Sequence, residues 1–180
     1  MEDSISSILI LVLLIIMSAY FSATETAYSS LNKIKLKSIA NKGNKKAKLA
    51  LELSEKYDSV ISTILIGNNI VNIATASLAT VLFTKLLGSS GVTVSTIVMT
   101  ILILIFGEIS PKSIAKDIPE SFAIVSAPLL NAFCIILKPV NNLFCLWKKV
   151  ISKVFKIQKH SGITEDEILT IAEEAENEGG

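Results

Sequence analysis

The sequence contains no arginine: all 17 basic residues are lysines. Basic nucleic-acid surfaces usually draw on arginine, whose planar fork reads phosphates and guanines, so nucleic acid is not expected as a partner. There is one histidine, His160, which excludes a histidine-rich zinc site. The two cysteines, Cys134 and Cys145, form no CxxC pair and lie in apolar surroundings. They are expected to be reduced packing residues. No Walker loop, HExxH motif or nucleophile–histidine pair is present, so the chain is not expected to be an enzyme. A positive n-region is also missing, because the chain opens Met1-Glu2-Asp3. The first apolar run is therefore expected to be a retained helix, not a cleaved signal.

Charge is scarce over long stretches. Between Ser4 and Leu31 the one formal charge is Glu25, and between Ser59 and Ser110 the charges are Lys85 and Glu108. With 51% hydrophobic residues over 180 positions and a mean hydropathy of +0.59, this is the composition of a membrane protein. The expected fold class is an all-α membrane protein with three transmembrane helices plus cytoplasmic juxtamembrane amphipathic helices. The spans are placed at about 5–31, 60–87 and 92–112. The last two are joined by Gly88-Ser89-Ser90-Gly91 into a helical hairpin.

Lysine placement sets the orientation. Eight lysines fall in residues 32–58: Lys33, Lys35, Lys37, Lys42, Lys45, Lys46, Lys48 and Lys56. A further apolar run, Phe122 to Leu137, is broken by Pro128 and Asn131 and closed by Pro139. Were it a fourth span, Lys138, Lys148, Lys149, Lys153, Lys156 and Lys159 would lie opposite the first lysine-rich segment, against the positive-inside rule. The expected topology is thus N-terminus outside and C-terminus cytoplasmic in a multi-pass cell (inner or plasma) membrane protein. Interfacial helices fall at about 33–57 and 120–157. Asn141 to Ile157 reads as a basic amphipathic helix with Trp147 and Phe155 on its apolar face, suited to anionic lipids at the cytoplasmic face. Residues 1–158 form the membrane domain. Residues 159–180, with seven acids and a capping box at Thr164 and Glu167, read as the truncated start of an acidic cytosolic helical region.

Polar residues inside the apolar spans cost free energy unless they are satisfied or used. Ser18, Ser22 and Glu25 share one face of span one at helical spacing. Close helix packing is the plainer explanation for the serines, and Glu25 could brace the cytoplasmic end. In span two, Gly67-Asn68-Asn69 precedes Asn72, placing Asn68 and Asn72 on one face. These amides could bond between helices or act as hard oxygen ligands, and Gly67 could let the backbone expose a carbonyl. In span three, Gly107-Glu108 precedes Ser110-Pro111-Lys112. Pro111 lacks the N–H that the Gly107 carbonyl would accept. A broken helix lining a site is one reading, and a Glu108–Lys112 pair at i, i+4 is the other.

Together these clusters offer only oxygen donors. Such sets select hard cations: Mg²⁺, Ca²⁺ or Na⁺. Spacing and chemistry leave three alternatives open: a cation transporter, a membrane anchor or ion sensor controlling a cytosolic region, and a bundle held together by polar side chains.

Three segments also carry a resemblance. Ser18-Ala19-Tyr20-Phe21-Ser22-Ala23-Thr24-Glu25-Thr26-Ala27 resembles the LSxFFSGSETA signature of the CNNM/CorC (cyclin M-like) family, followed by its LN-basic junction at Asn32 to Leu36. Leu65-Ile66-Gly67-Asn68-Asn69 with Val71-Asn72 resembles the family's LxGNxxVN segment, and Phe106-Gly107-Glu108-Ile109-Ser110-Pro111-Lys112 its FGEIxPK segment. Ala23 stands where the family usually has Gly, and Thr24 where it often has Ser. The resemblance implies a homodimer that exports Mg²⁺, coupled to Na⁺ entry, and a CBS-type cytosolic domain in the full-length protein. Carried over by position, it implies a metal site of Ser18, Ser22, Gly67 (by its carbonyl), Asn68, Asn72 and Glu108. Supporting positions are Glu25, Asn69, Gly107, Pro111 and Lys112.

Overall fold

In the computed structural model the chain divides into two units, Met1–Asn141 and Asn142–Gly180. The structure describes residues 2–143. The basic helix after Asn141, Cys145, His160 and the acidic tail therefore lie outside the described residues.

The described residues are helical throughout. Helix α1 (Glu2–Ser30) leads, and two short helices follow, α2 (Lys33–Asn41) and α3 (Lys45–Glu55). Next come α4 (Tyr57–Leu87), a 3₁₀ turn at Gly88–Ser90, and α5 (Gly91–Leu102). A π-helical turn (Ile103–Ile109), α6 (Ser110–Asp117) and α7 (Pro119–Ile136) complete the order. The caps are legible in the sequence. The Asn32 side chain accepts from the Ile34 and Lys35 N–H groups, and that of Asn44 accepts from Ala47 N–H, which starts α2 and α3. Gly43, at φ +90°, supplies the left-handed residue between them.

Three helical stretches are long and apolar enough to cross a membrane: Ile5–Ser30, Tyr57–Asp117 and Pro119–Ile136. The second turns back at Gly88 (φ +65°), and α4 packs along α5, so it is the hairpin that the sequence predicts. At about 1.5 Å per residue, α4 is about 46 Å long and overshoots a hydrocarbon core of about 30 Å. The third stretch is the run that the sequence assigns to the interface. It forms one 18-residue helix with Pro128 inside it, about 27 Å long.

Helix α1 is the hub, touching α4, the π turn, α6 and α7. Its two halves differ. Ile5, Ile8, Leu9, Val12, Leu13 and Ile16 are exposed, which suits lipid contact. Phe21, Ala23, Thr24, Ala27 and Tyr28 are buried. They join Leu36, Ala47, Ala50, Val60, Ile64, Ala123, Ala127 and Leu130 in the main core. A smaller core of Leu11, Ala79, Leu82 and Met99 sits between α1, α4 and α5.

Candidate functional site

Ser18 lies near the midpoint of the apolar stretch of α1, and Asn72 near that of α4. These helices pack against each other, and the polar groups meet there. The Ser18 Oγ is 2.7 Å from Asn72 Oδ1 and 3.2 Å from Asn68 Oδ1. Ser18 is fully buried, and the two asparagines are half-buried. A hydroxyl carries one proton and can donate it to one acceptor. Three oxygens thus converge with a single hydrogen among them. Such a surplus of acceptors would suit a cation or a further donor.

The π turn closes this cradle of oxygens from a third side. A Cβ added to Gly107 would lie 3.0 Å from Ser18 Oγ and 3.4 Å from Ser18 Cβ. Glycine is what allows this approach. Isolated π turns recur at functional sites because they reset the helical ladder. Here the cause is local. The Ser110 N–H donates to the Ile105 carbonyl, five residues back, and Pro111 has no N–H to give. The Phe106 carbonyl therefore has neither its α-type donor, Ser110, nor its π-type donor, Pro111. The π register thus frees a carbonyl one residue before the Gly107 carbonyl that the sequence singles out. The helix is not broken at Pro111, because α6 continues directly to Asp117.

Ser22, one turn below Ser18, is buried, and its Oγ has no hydrogen-bond partner among the described residues. Several other helical serine and threonine hydroxyls among the described residues bond the carbonyl three or four residues back, as Thr24 does to Tyr20 (2.6 Å) and Thr75 to Val71 (2.7 Å). A buried unpaired hydroxyl carries a desolvation cost of about 1–3 kcal/mol. Ser22 thus stands out as an oxygen free to serve a ligand.

Glu108 is half-buried on the π turn and makes no ion pair among the described residues. The i, i+4 pair with Lys112 is not formed. The Lys112 ammonium instead lies 3.1 Å from the Glu25 carboxylate and ties α6 to α1. Glu25 is therefore the brace, and Lys112 is its partner.

Two predicted positions sit elsewhere or act differently. Asn69 is exposed, and its amide donates to the Leu65 carbonyl of its own helix at 2.8 Å, so it does not join the cluster. Helix α4 runs unbroken through Gly67, contrary to the expectation of a deformed backbone there. Gly67 makes room for a ring instead: an added Cβ would fall 2.4 Å from Phe21 Cζ. Phe21 in turn packs on Phe133 of α7, with ring centroids 5.0 Å apart.

Sequence reasoning missed Glu120. Its carboxylate accepts from the Asn32 backbone N–H (3.1 Å) and from Lys35 Nζ (2.9 Å), fastening α7 to the start of α2. The signal was present, since an acid directly after Pro119 is a helix-start pattern. The link between Asn141 Nδ2 and Thr63 Oγ1 (2.6 Å), which anchors the segment after α7 to α4, had no such signal.

With this geometry in view, the family comparison is direct. Residues 9–180 match the model of the cyclin M transmembrane N-terminal domain. The chain belongs to that family. It is 42% identical over 124 residues to a UPF0053 protein of Haemophilus influenzae, covering 69% of this chain and 30% of that relative. It is 44% identical over 113 residues to the UPF0053 inner membrane protein YfjD of Escherichia coli, covering 63% and 26%. A Haemophilus influenzae protein named polyamine export protein is 29% identical over 182 residues, covering 93% and 42%. The match thus spans 26–30% of the length of these two relatives, which are much longer. As a cyclin M membrane domain it belongs with membrane proteins implicated in cation transport. The oxygen cradle lies on the segments that resemble the family's signatures.

Proposed function

We propose that this domain carries Mg²⁺ across the membrane, exporting it with Na⁺ entry as the coupled ion, in an inner or plasma membrane. The observation that carries the reading is the meeting of Ser18, Asn68 and Asn72 oxygens at mid-depth with one proton among them. Ser22, one turn along α1, keeps an unpaired hydroxyl, and on the π turn the Phe106 carbonyl has no helical donor. The unpaired Glu108 carboxylate is on the same π turn as Gly107. Mg²⁺ prefers hard oxygens and sheds its water reluctantly. One carboxylate among neutral oxygens gives modest affinity, and a transporter needs modest affinity in order to release its cargo. No three His, Cys, Asp or Glu side chains gather among the described residues, so a cation here rests largely on neutral groups.

Three crossings are inferred, made by α1 and the two legs of the hairpin, with the N-terminus outside. Helix α7 is long enough to cross, but a fourth crossing would put Lys138 and the later lysines opposite those of α2 and α3. The full-length protein is taken to be a homodimer with a CBS-type cytosolic domain.

The test is calorimetric titration of the purified chain with Mg²⁺, with and without Na⁺, followed by flux in proteoliposomes. Saturable binding lost in Asn72→Ala and Ser18→Ala, together with Mg²⁺ flux, bears the reading out. Binding without flux leaves the anchor or sensor reading. No binding, with the variants merely less stable, leaves a bundle held by polar side chains. Because one relative is named a polyamine export protein, spermidine belongs in the same titration. Displacement of Mg²⁺ by spermidine at similar concentration would change the cargo class.

A further inference from the structure

Helices α2 and α3 carry an unbalanced charge. From Thr26 to Leu51 the sequence has seven lysines, Lys33, Lys35, Lys37, Lys42, Lys45, Lys46 and Lys48, and no acid. All seven are exposed. Lys35 is engaged by Glu120, and the other six make no ion pair among the described residues. The two helices are not equal. On α3, Glu52 and Glu55 share the outward face with Lys45 and Lys48. Helix α2 carries no acid of its own, and Glu120 answers Lys35 alone.

The position of Ile34 gives this patch a direction. Leu36, Ile39 and Ala40 turn α2 to the core. At 100° per residue, Ile34 and Ser38 lie on the opposite side. Ile34 is 82% exposed, the highest value among the exposed large hydrophobic side chains. A single exposed isoleucine is ordinary in a soluble protein. This one sits in the first turn of a helix that begins three residues after the apolar stretch of α1 ends at Ser30, with Lys33 and Lys37 flanking it. That is headgroup depth. An apolar side chain there enters the acyl boundary while lysine stems lie along it and keep their ammonium groups among phosphates.

We propose that the α2–α3 hairpin is a docking surface for anionic phospholipid headgroups, with Ile34 as the inserted residue and Lys33, Lys37, Lys45 and Lys46 as the phosphate contacts. The inference rests on the chain being membrane-embedded and is independent of the ion it carries. Its consequence is mechanical. The surface is fastened to α7 through Asn32 and Lys35 on Glu120, and α3 packs on α7. Headgroups bound there therefore also bear on the docking of α7 against α2 and α3.

The experiment uses the full chain. Delipidated protein is titrated with phosphatidylglycerol and, separately, phosphatidylcholine, and retained lipid is counted by native mass spectrometry. The comparison variant carries Lys33→Gln, Lys37→Gln, Lys45→Gln and Lys46→Gln, all surface changes. In parallel, Ile34→Trp is made in a Trp147→Phe background and placed in bilayers containing brominated lipid. A preference for phosphatidylglycerol that falls about fivefold per lysine removed, with Ile34→Trp fluorescence quenched by the brominated chains, supports the proposal. Replacing the same four lysines with arginine should keep the preference. Equal retention of both lipids by the parent chain overturns it, as does an unchanged preference in the glutamine variant. A blue-shifted but unquenched Ile34→Trp also overturns it, because a protein surface would then cover the residue.

Discussion

The two ends of the bundle are built on different principles. Around the inner half of α1, six helical elements converge, and the buried groups mix rings, small residues and polar atoms. At the outer half, the core shrinks to Leu11 of α1, Ala79 and Leu82 of α4 and Met99 of α5, with Ile103 of the π turn packed against it. In lipid, apolar contact between helices gains little over contact with acyl chains. Helices must then be held by close packing and polar bonds. The inner end has both: Gly67 under Phe21, Gly107 against Ser18, Glu120 on α2 and Lys112 on Glu25. The outer end has Gly91 against the Phe83 backbone and a hydroxyl contact from Thr80 to Ser95 at 3.2 Å. The inner end is thus a frame tied at more points than the outer end, with the oxygen cradle where they join.

The largest expected effect attacks the frame. Phe21 is 1% exposed and wedged between Gly67 and Phe133. Phe21→Ala should cost about 3 kcal/mol, the low end of the usual range for a buried phenylalanine, since in lipid the cavity and lost packing dominate. Gly67→Leu should cost a comparable amount by overpacking. The sharper test is the double variant. Phe21→Ala opens space where the new leucine would go, so the two changes together should destabilise by less than their sum. Thermal unfolding in one detergent measures this, and simple additivity would show that the two residues do not share a site.

Second in size is the fastening of α7. Glu120→Ala removes two charge-assisted acceptor contacts and strands the Asn32 N–H. Lys35 is 64% exposed, so solvent screens its share. A loss of about 1–2 kcal/mol is expected, mostly from the backbone contact. Lys35→Ala should cost clearly less than Glu120→Ala. Equal losses would mean that the ion pair, and not the Asn32 bond, is what fastens α7.

The frame was more legible in the sequence than the cradle. Length, hydropathy and the turn residues at Gly43 and Gly88 are local signals, and each helix follows from them. The faces of Ser18 with Ser22, and of Asn68 with Asn72, follow from helical periodicity alone. What periodicity could not supply was the third dimension. Asn69 is one step round the helix from Asn68, yet it bonds its own backbone and faces out. Lys112 lies within reach of both Glu108 and Glu25, and the spacing along its own helix favoured the wrong one. The π turn is the hardest case. Proline marked that a donor was missing, but the π register that also strips the Phe106 carbonyl of its donor is not written in the local spacing.

The fit of Gly107 against α1 gives the subtlest prediction. Gly107→Ala adds a Cβ 3.0 Å from Ser18 Oγ and 3.5 Å from Ile103 Cγ2. A hydroxyl can shift by a few tenths of an ångström, so the stability cost should stay under about 1 kcal/mol, below the usual range for overpacking. The tightest contact of the added methyl is with Ser18, whose hydroxyl lies against the two asparagine oxygens. Cation affinity should therefore fall well before stability does. Gly91→Ala, against the Phe83 backbone at 2.4 Å, should do the reverse and destabilise the outer hairpin with binding unchanged in the folded fraction. Calorimetry and thermal unfolding on the two variants separate the effects. If Gly107→Ala binds Mg²⁺ as the parent does, the π turn is only a packing device, and the cradle ends at α1 and α4.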